Sequence, residues 1–237
     1  MKNFFVWAHR GASGDAPENT LSAFRLAEQA AADGLELDVR LTADGVPVIL
    51  HDDTLDRTTN VQGLLALYPV ADLQHVDAGS WFAPQFAGEA LPALEHVLQW
   101  ATGRLRLNLE IKEFDAGIAV KALLDRYPCC RVLVSSFDHG VLKALRASAP
   151  QLPVGFLSED SQWHRQLLAA VACGAESFHP RQDLVTPQSV AQCHALGLKV
   201  YPWVVDEVER FRALLRMGVD GMFTNHPARL RQWQGEA

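Results

Sequence analysis

Short apolar runs alternate with amphipathic stretches along almost the whole chain. The runs are rich in β-branched and other apolar residues, and their length suits buried strands. They predict strands at residues 4–8, 34–39, 46–50, 105–111, 132–135, 154–157, 176–179, 199–203 and 221–223. Strands that alternate with helices favour a parallel sheet wrapped by helices, so the expected fold class is α/β.

The amphipathic stretches between these runs predict helices. In the first of them, Asn19 and Thr20 can cap a helix whose apolar face includes Leu21, Phe24 and Ala27. Further helices are predicted over residues 91–100, 116–126, 138–148, 161–172, 187–195, 207–217 and 227–233. About eight strand-and-helix units, with residues 46–50 as an additional hairpin strand, predict a (β/α)8 barrel of the TIM type.

One segment interrupts this alternation after the second barrel strand. Residues 52–90 contain turn residues and scattered aromatic side chains, without a sustained helical period. Loops of this length are usually functional or are ordered by a core of their own. We therefore expect residues 52–90 to form a small insertion that packs over the mouth of the barrel.

The composition fits one globular domain spanning residues 1–237. Of the 237 residues 49% are hydrophobic, enough to bury a large core. The formal net charge of -7 argues against a protein that binds nucleic acid non-specifically, so no nucleic-acid partner is expected. A small anionic substrate stays compatible, since a local pocket can be positive on an acidic protein. The four cysteines lack the CxxC spacing of a zinc site and are expected to be reduced and structural.

The chain offers no segment that suits the core of a bilayer. The apolar run at residues 4–8 is too short for a signal sequence or a membrane span, and no long uncharged apolar run follows it. A cytoplasmic protein without stable membrane insertion is expected. Both a monomer and a homodimer are compatible with the sequence.

Three carboxylates stand near the ends of predicted strands. Glu36 and Asp38 are two residues apart in one strand and therefore share a face, and Glu110 ends another apolar run. Three carboxylates that converge in a barrel mouth would repel one another unless a cation neutralised them. Ligation by oxygen alone favours one divalent cation, Mg²⁺ or Ca²⁺. Ion pairing with nearby arginine and lysine side chains is the alternative explanation.

Two histidines also follow apolar runs, at the positions where barrel enzymes place catalytic groups. These are His9 and His51. An unperturbed imidazole has a pKa of about 6.5, so such a pair can divide the roles of general base and general acid. Arg10 offers a charged fork for phosphate oxygens, and Lys112 adds a point charge beside Glu110. Together these residues fit phosphoryl transfer.

Several motifs follow one another in a fixed order over nearly the whole chain. They are His9-Arg10-Gly11, residues 17–20 (Pro-Glu-Asn-Thr), residues 36–39 (Glu-Leu-Asp-Val), His51-Asp52, residues 55–60, residues 110–112 (Glu-Ile-Lys) and Trp203. In this order they resemble the glycerophosphodiester phosphodiesterase family, and most closely its bacterial cytosolic branch.

The resemblance implies a metal-dependent hydrolase of the (β/α)8 fold. Such an enzyme splits glycerophosphodiesters into glycerol 3-phosphate and an alcohol such as choline or ethanolamine. By resemblance the metal ligands are Glu36, Asp38 and Glu110, the acid and base are His9 and His51, and the phosphate clamp is Arg10 and Lys112. Which histidine is the base stays open, and so does the choice between attack by water and a cyclic phosphate route.

The resemblance also suggests three further residues that bind substrate. Glu18 falls near the metal and the phosphate, where it would orient Arg10 or a metal-bound water. Phe137 and Trp203 are candidates for an apolar wall against the glycerol carbons, with packing in the barrel core as the alternative. Asp206 replaces the asparagine that is usual three residues after this tryptophan. We expect its carboxylate near the mouth to favour a cationic leaving alcohol.

Two other functions compete with this interpretation. One is a phospholipase C or lysophospholipase D that acts on lipid phosphodiesters with a similar pair of histidines. The other is a phosphodiester-binding module without catalysis. Such a module would need a broken set of histidines or carboxylates, and both sets are intact in this sequence.

Overall fold

The computed structural model describes residues 4–236 and contains, within that range, nine strands and eight α-helices. The strands are β1 (Phe5–His9), β2 (Gly34–Leu41), β3 (Pro47–Ile49), β4 (Arg106–Ile111), β5 (Val132–Ser136), β6 (Val154–Ser158), β7 (Ser177–Pro180), β8 (Lys199–Val200) and β9 (Gly221–Thr224). The helices are α1 (Leu21–Gln29), α2 (Leu94–Ala101), α3 (Phe114–Leu124), α4 (His139–Ser148), α5 (His164–Ala172), α6 (Pro187–Ala195), α7 (Val208–Met217) and α8 (Pro227–Gly235).

The strands form one sheet in the order β8-β7-β6-β5-β4-β2-β1-β9, and all of these pairings are parallel. The short strand β3 pairs with β2 in the antiparallel sense. With a helix after each parallel strand, the predicted (β/α)8 barrel is confirmed. The hairpin partner predicted at residues 46–50 is also present as β3.

The barrel closes between β8 and β9 through a few backbone hydrogen bonds. The N–H of Asp220 donates to the carbonyl of Val200 at 3.1 Å, and the N–H of Phe223 donates to that of Pro202 at 3.0 Å. The strand predicted over residues 199–203 is shorter than expected, ending at Val200. Pro202 has no N–H group, so it cannot donate a bond to this ladder.

Most predicted helices agree with the structure within a few residues. The helix predicted from residue 91 begins only at Leu94, because the preceding residues lie along β3: Ala93 pairs with Val48, and the N–H of Ile49 donates to the carbonyl of Pro92 at 2.9 Å. The helix predicted at residues 187–195 has those bounds, with Thr186 as its N-cap.

Aromatic side chains and one ion pair fill the barrel near the beginnings of its strands. Trp7 stacks on Phe223 with ring centres 5.8 Å apart and meets Tyr201 edge to face at 6.0 Å. Arg106, at the start of β4, pairs with Glu176 through two hydrogen bonds of 2.9 and 2.8 Å. This end of the barrel is therefore filled by side chains, and the opposite end has room for a cavity.

The segment between β3 and α2 has a small core of its own. It contains three 3₁₀ turns, Leu65–Leu67, Val70–Leu73 and Pro84–Phe86. Buried side chains from the segment pack on those around β3, as a cluster of Val48, Leu50, Leu55, Leu65, Leu73 and Val76. The division of the chain into a barrel and an insertion at residues 52–90 stays a prediction. Among the residues that the structure describes, no helix is both long and apolar enough to cross a bilayer.

Candidate active site

The chemically important side chains of β1, β2 and β4 meet because these three strands are neighbours. His9 is aligned with Glu36 between β1 and β2, and Asp38 is aligned with Glu110 between β2 and β4. Alternation within each strand turns these residues toward the barrel interior. His51 joins them through β3, since the N–H of Leu50 donates to the carbonyl of Asp38 at 3.0 Å.

The three predicted metal ligands form a compact buried cluster. Each of Glu36, Asp38 and Glu110 offers a carboxylate oxygen within 4.8 Å of the other two, and the three residues are 3%, 1% and 7% exposed. Burial and the neighbouring carboxylates raise the pKa of Glu36 well above its ordinary value and that of Glu110 to about 7. The cluster thus carries more negative charge than its surroundings neutralise.

Ion pairing, the alternative explanation for these carboxylates, is also present. Asp38 lies 3.2 Å from Arg10 Nε and 2.8 Å from Lys112 Nζ, and Lys112 contacts Glu110 as well. Burial would raise the pKa of Asp38, but Lys112 and Arg10 outweigh burial and lower it. Glu36 is left over, because its Oε1 atom finds no hydrogen-bond partner among residues 4–236. Two cations facing three carboxylates leave room for a further positive charge, and an all-oxygen set suits a hard divalent cation.

His9 is held by a polar residue from the far end of the chain. Its Nδ1 atom lies 2.7 Å from Oδ1 of Asn225, and its Nε2 atom lies 3.9 Å from Oε2 of Glu36. Burial, together with the positive charge of Arg10, lowers the pKa of His9 to about 4. The ring therefore presents Nε2 to the carboxylate cluster.

His51 has a different partner and is more exposed. Its Nδ1 atom lies 2.7 Å from Oδ1 of Asp52, whose other oxygen accepts a bond of 2.6 Å from Arg57 Nε. Burial lowers the pKa of His51, and the charge of Asp38 opposes that effect. Asp52 therefore acts on the site through the ring of His51.

The turn after β1 places the Arg10 side chain over Asp38. Arg10 and Gly11 both have positive φ values, 56° and 82°. A Cβ atom on Gly11 would lie only 2.7 Å from the Cβ of Ala23 in α1, so glycine lets the helix approach. Arg10 Nη1 donates to Oε1 of Glu18 at 2.9 Å, and Arg57 contacts the same carboxylate. The Arg10 side chain is thus held by ion pairs with both Glu18 and Asp38.

Asn19 and Thr20, two candidate cap residues, have separate roles. The hydroxyl of Thr20 accepts a bond from the N–H of Ala23 at 3.3 Å and caps α1. Asn19 has φ of 61° and donates from Nδ2 to Oδ2 of Asp38 at 2.8 Å. Its amide therefore orients a carboxylate of the cluster.

A cavity of about 240 Å³ opens above the carboxylates at the barrel mouth. It is lined by His9, Arg10, Glu36, His51, Asn108, Glu110, Lys112, Phe137, Leu157, Glu159, Trp203 and Phe223. Phe137 and Trp203 meet edge to face with ring centres 5.5 Å apart and form an aromatic wall. Trp203 is fixed by a bond of 2.8 Å from its Nε1 atom to the carbonyl of His179.

Four lining residues were not among the predicted site residues: the apolar Leu157 and Phe223, and the polar Asn108 and Glu159. Asn108 is 1% exposed, and neither atom of its amide has a hydrogen-bond partner in the described part of the chain. Its alternation with Glu110 along β4 was a usable signal, because both share the interior face. Glu159 follows β6 and places an exposed carboxylate at the cavity rim, in a position that no motif marks.

The expectation for Asp206 is not supported by the structure. Its Oδ1 atom accepts bonds of 2.8 Å from the hydroxyl of Thr224 and from the N–H of Asn225, and its Oδ2 atom accepts one of 2.6 Å from the Asn225 amide. Because both oxygens are occupied in this way, Asp206 organises the loop after β9 and does not serve as a free charge for a leaving alcohol.

Comparison with known proteins places the chain among phosphodiesterases. A model of the glycerophosphoryl diester phosphodiesterase family matches residues 9–229. A glycerophosphodiester phosphodiesterase from Caldanaerobacter subterraneus is 38% identical, and the alignment covers 97% of each protein. One from Bacillus altitudinis is 36% identical over 94% of this chain and 95% of its own length.

A solved structure agrees with both the fold and the sequence match. It is an Oleispira antarctica phosphodiesterase in complex with the product sn-glycerol-3-phosphate, and it superimposes with a TM-score of 0.91 at 32% identity. The match covers 98% of this chain and 96% of the other. From the match over residues 9–229, the extent of these identities and the shared barrel, the chain is an enzyme of the glycerophosphoryl diester phosphodiesterase family.

Proposed function

We propose that this enzyme hydrolyses glycerophosphodiesters to glycerol 3-phosphate and an alcohol, with one divalent cation, Mg²⁺ or Ca²⁺. The observation that carries the proposal is the cavity in which two carboxylates of the buried cluster, Glu36 and Glu110, meet two histidines and two cationic side chains. The relative from Oleispira antarctica, which binds the product sn-glycerol-3-phosphate, supports the same substrate class.

Glu36, Asp38 and Glu110 would hold the cation. The pKa values of Glu36 and Glu110 are raised, and Oε1 of Glu36 has no hydrogen-bond partner among residues 4–236. A cation ligated by these oxygens would neutralise the carboxylates and give that oxygen a partner. When bound, the cation supplies positive charge that neutralises phosphate oxygens. Asn19 keeps Asp38 in its orientation by the bond to Oδ2.

Arg10 and Lys112 bind the phosphodiester in this proposal. Both line the cavity, and both also contact Asp38, so they lie where a phosphate beside the carboxylate cluster would be. Their positive charges favour the transition state, because negative charge builds on the phosphate oxygens as the reaction proceeds. Glu18 orients Arg10 through the bond of 2.9 Å.

His9 and His51 transfer the protons. One of them removes a proton from the attacking oxygen, and the other gives a proton to the oxygen of the leaving alcohol. With Nδ1 of each ring bonded to a neighbouring residue, Nε2 is the atom available for this chemistry. The attacking oxygen belongs either to water or to a glycerol hydroxyl of the substrate.

The aromatic wall and Glu159 favour a cationic leaving alcohol such as choline or ethanolamine. Aromatic faces attract ammonium groups, and a carboxylate at the rim adds a favourable charge. Glu159 takes the role that the sequence suggested for Asp206, because it lines the cavity with Phe137 and Trp203. A neutral alcohol such as inositol would gain less from this wall.

The test is release of glycerol 3-phosphate from glycerophosphocholine, before and after treatment with EDTA. We expect activity to disappear with EDTA and to return with Mg²⁺ or Ca²⁺. His9→Ala and His51→Ala should each lower kcat by about 10² to 10⁴-fold, the usual contribution of general acid or base catalysis. His75→Ala, at an exposed histidine of the insertion segment, is the matched control.

The outcomes separate the competing functions. Full activity after metal removal would contradict the role of the cation, and turnover of lysophosphatidylcholine in preference to glycerophosphocholine would favour a lipid phosphodiesterase. Binding of glycerophosphocholine without any turnover would favour a non-catalytic module. A cytoplasmic location stays a prediction from the sequence, which is compatible with both a monomer and a homodimer.

A further inference from the structure

A chain of short hydrogen bonds runs from Asp206 through Asn225 to His9. Asn225 Nδ2 donates to Asp206 Oδ2 at 2.6 Å, and Asn225 Oδ1 lies 2.7 Å from His9 Nδ1. Asp206 is three residues beyond Trp203, and Asn225 directly follows β9, so the chain joins the closing seam of the barrel to the first strand.

The chemistry of Asp206 determines which way the Asn225 amide faces. An ionised carboxylate only accepts hydrogen bonds, whereas an amide has one donor end and one acceptor end. Asp206 Oδ1 already accepts the Thr224 hydroxyl and the Asn225 N–H, each at 2.8 Å. The donor end of the amide must therefore face Asp206, and its oxygen must face His9.

The orientation of the amide in turn determines the tautomer of His9. An amide oxygen cannot donate, so the proton between the two groups must belong to His9 Nδ1. Nε2, on the side of Glu36, is then left with a lone pair. The Ser13 hydroxyl lies 2.8 Å from Asn225 Oδ1 and 2.7 Å from the carbonyl of His9, and its one hydrogen can be donated to only one of these two acceptors at a time.

We propose that Asp206 and Asn225 are positioning residues that fix the ring of His9 and its Nδ1–H tautomer, so that Nε2 faces the substrate. The proposal rests on the proposed catalytic role of His9. It gives Asp206 a role specific to this chain, since asparagine is usual at this position in the resembling motif. An asparagine there could offer either its donor or its acceptor to Asn225, and the direction of the amide would no longer be forced.

The first measurement is the tautomer itself, by ¹⁵N NMR of histidine-labelled enzyme, with the His9 signals assigned from their loss in His9→Ala. We expect the Nδ1–H form in the native chain. In Asn225→Leu, which keeps the size of the side chain but removes the acceptor, we expect the Nε2–H form to appear.

The second measurement separates kcat from KM. Asn225→Leu should lower kcat by about 10- to 100-fold with KM within about threefold, as for other changes that release a catalytic or metal-bound histidine from its hydrogen-bond partner. Asp206→Asn should lower kcat by a smaller factor. Asn225→Asp alone brings two carboxylates into contact and should be the most damaging of the single changes.

The double variant Asp206→Asn with Asn225→Asp is the rescue. It exchanges the two residues, keeps the net charge and allows every hydrogen bond of the chain to form again, with a carboxylate as the acceptor for His9. We expect kcat to return to within about threefold of the native value. Glu209→Gln, at an exposed residue of α7 that lies outside this chain of bonds, is the control and should change nothing.

The proposal is overturned if native His9 is in the Nε2–H form, or if Asn225→Leu leaves both the tautomer and kcat unchanged while His9→Ala is inactive. Retained activity in His9→Ala would instead contradict the proposed function. The NMR measurement would still decide whether Asp206 and Asn225 fix the tautomer.

Discussion

At the scale of single residues, Glu36 is a carboxylate whose burial in the site is energetically unfavourable. This carboxylate is buried beside Asp38 and Glu110, and its pKa is raised well above the ordinary value by burial and by those two charges. Its Oε2 atom accepts a bond of 2.9 Å from the N–H of Arg10, and its Oε1 atom has no such bond from any residue within 4–236. Such unfavourable burial is typical of functional sites, where stability is lost for chemistry.

Glu36→Gln should therefore stabilise the metal-free enzyme while abolishing metal-dependent turnover. Glutamine keeps an acceptor for the N–H of Arg10 and removes a charge that its neighbours repel. We expect a gain of about 1–2 kcal/mol, or a rise in Tm of about 2–8 °C, in the presence of EDTA. Differential scanning calorimetry measures it, with Glu209→Gln as the neutral control. A lower Tm would show that the three carboxylates do not repel one another in the folded protein.

At the scale of elements, the turn between β1 and α1 brings a helix to the site. Gly11 allows close contact with Ala23, and the N–H of Ala12 donates to the carbonyl of Ala23 at 3.0 Å. This contact places the start of α1 where Asn19 reaches Asp38. The His-Arg-Gly motif thus uses glycine for close packing against α1 as well as for its backbone conformation.

Gly11→Ala should destabilise the enzyme by about 2–4 kcal/mol, because the new methyl group overlaps α1 and the φ of 82° is strained for alanine. Gly45→Ala is a matched control. Its φ is 76°, but a Cβ there meets no atom of residues 4–236 within 4 Å, so it reports the backbone strain alone. Urea unfolding measures both. Equal losses in the two variants would contradict the packing role of Gly11.

At the scale of the whole molecule, the two ends of the barrel are built for different tasks. The filled end holds the aromatic cluster and the Arg106–Glu176 pair, whereas the open end holds the site. Burial would raise the pKa of Glu176, but its bonds to Arg106 outweigh that effect and lower it. A carboxylate with a lowered pKa stabilises the fold above its ordinary pKa, and this contribution is lost as the pH falls through the lowered value.

Glu176→Gln should lower stability at neutral pH without changing catalysis. The pair is partly exposed, so we expect a loss of about 1–2 kcal/mol at pH 7, with kcat within about twofold of the native value. The difference in unfolding free energy between the native enzyme and the variant should begin to shrink as the pH falls below the ordinary glutamate pKa of about 4.5, and it should be lost as the pH passes through the lowered pKa of the folded side chain. Urea unfolding at several pH values measures it, and a difference that grows in acid would contradict the assignment.

Much of the fold followed from local patterns, and the departures have local causes. Alternation along strands predicted that Glu36 and Asp38 share a face, and helical spacing predicted the positions of most helices. The start of α2 and the end of β8 differed, because an extended segment pairs with β3 and because Pro202 lacks a donor. Pairing with a distant strand is invisible to a pattern read within one segment.

The sequence by itself determined the class of fold, the facing of each strand residue and the types of chemical group available, because backbone alternation and side-chain chemistry are local properties. Only the tertiary structure decided which groups meet. The bond between His9 and Asn225 joins residues 216 positions apart, and the orientation of that amide depends on Asp206 from a third segment. The bond from Asn225 to His9 requires that β9 pairs with β1, and the contact of Asp206 with Asn225 requires that the barrel closes between β8 and β9.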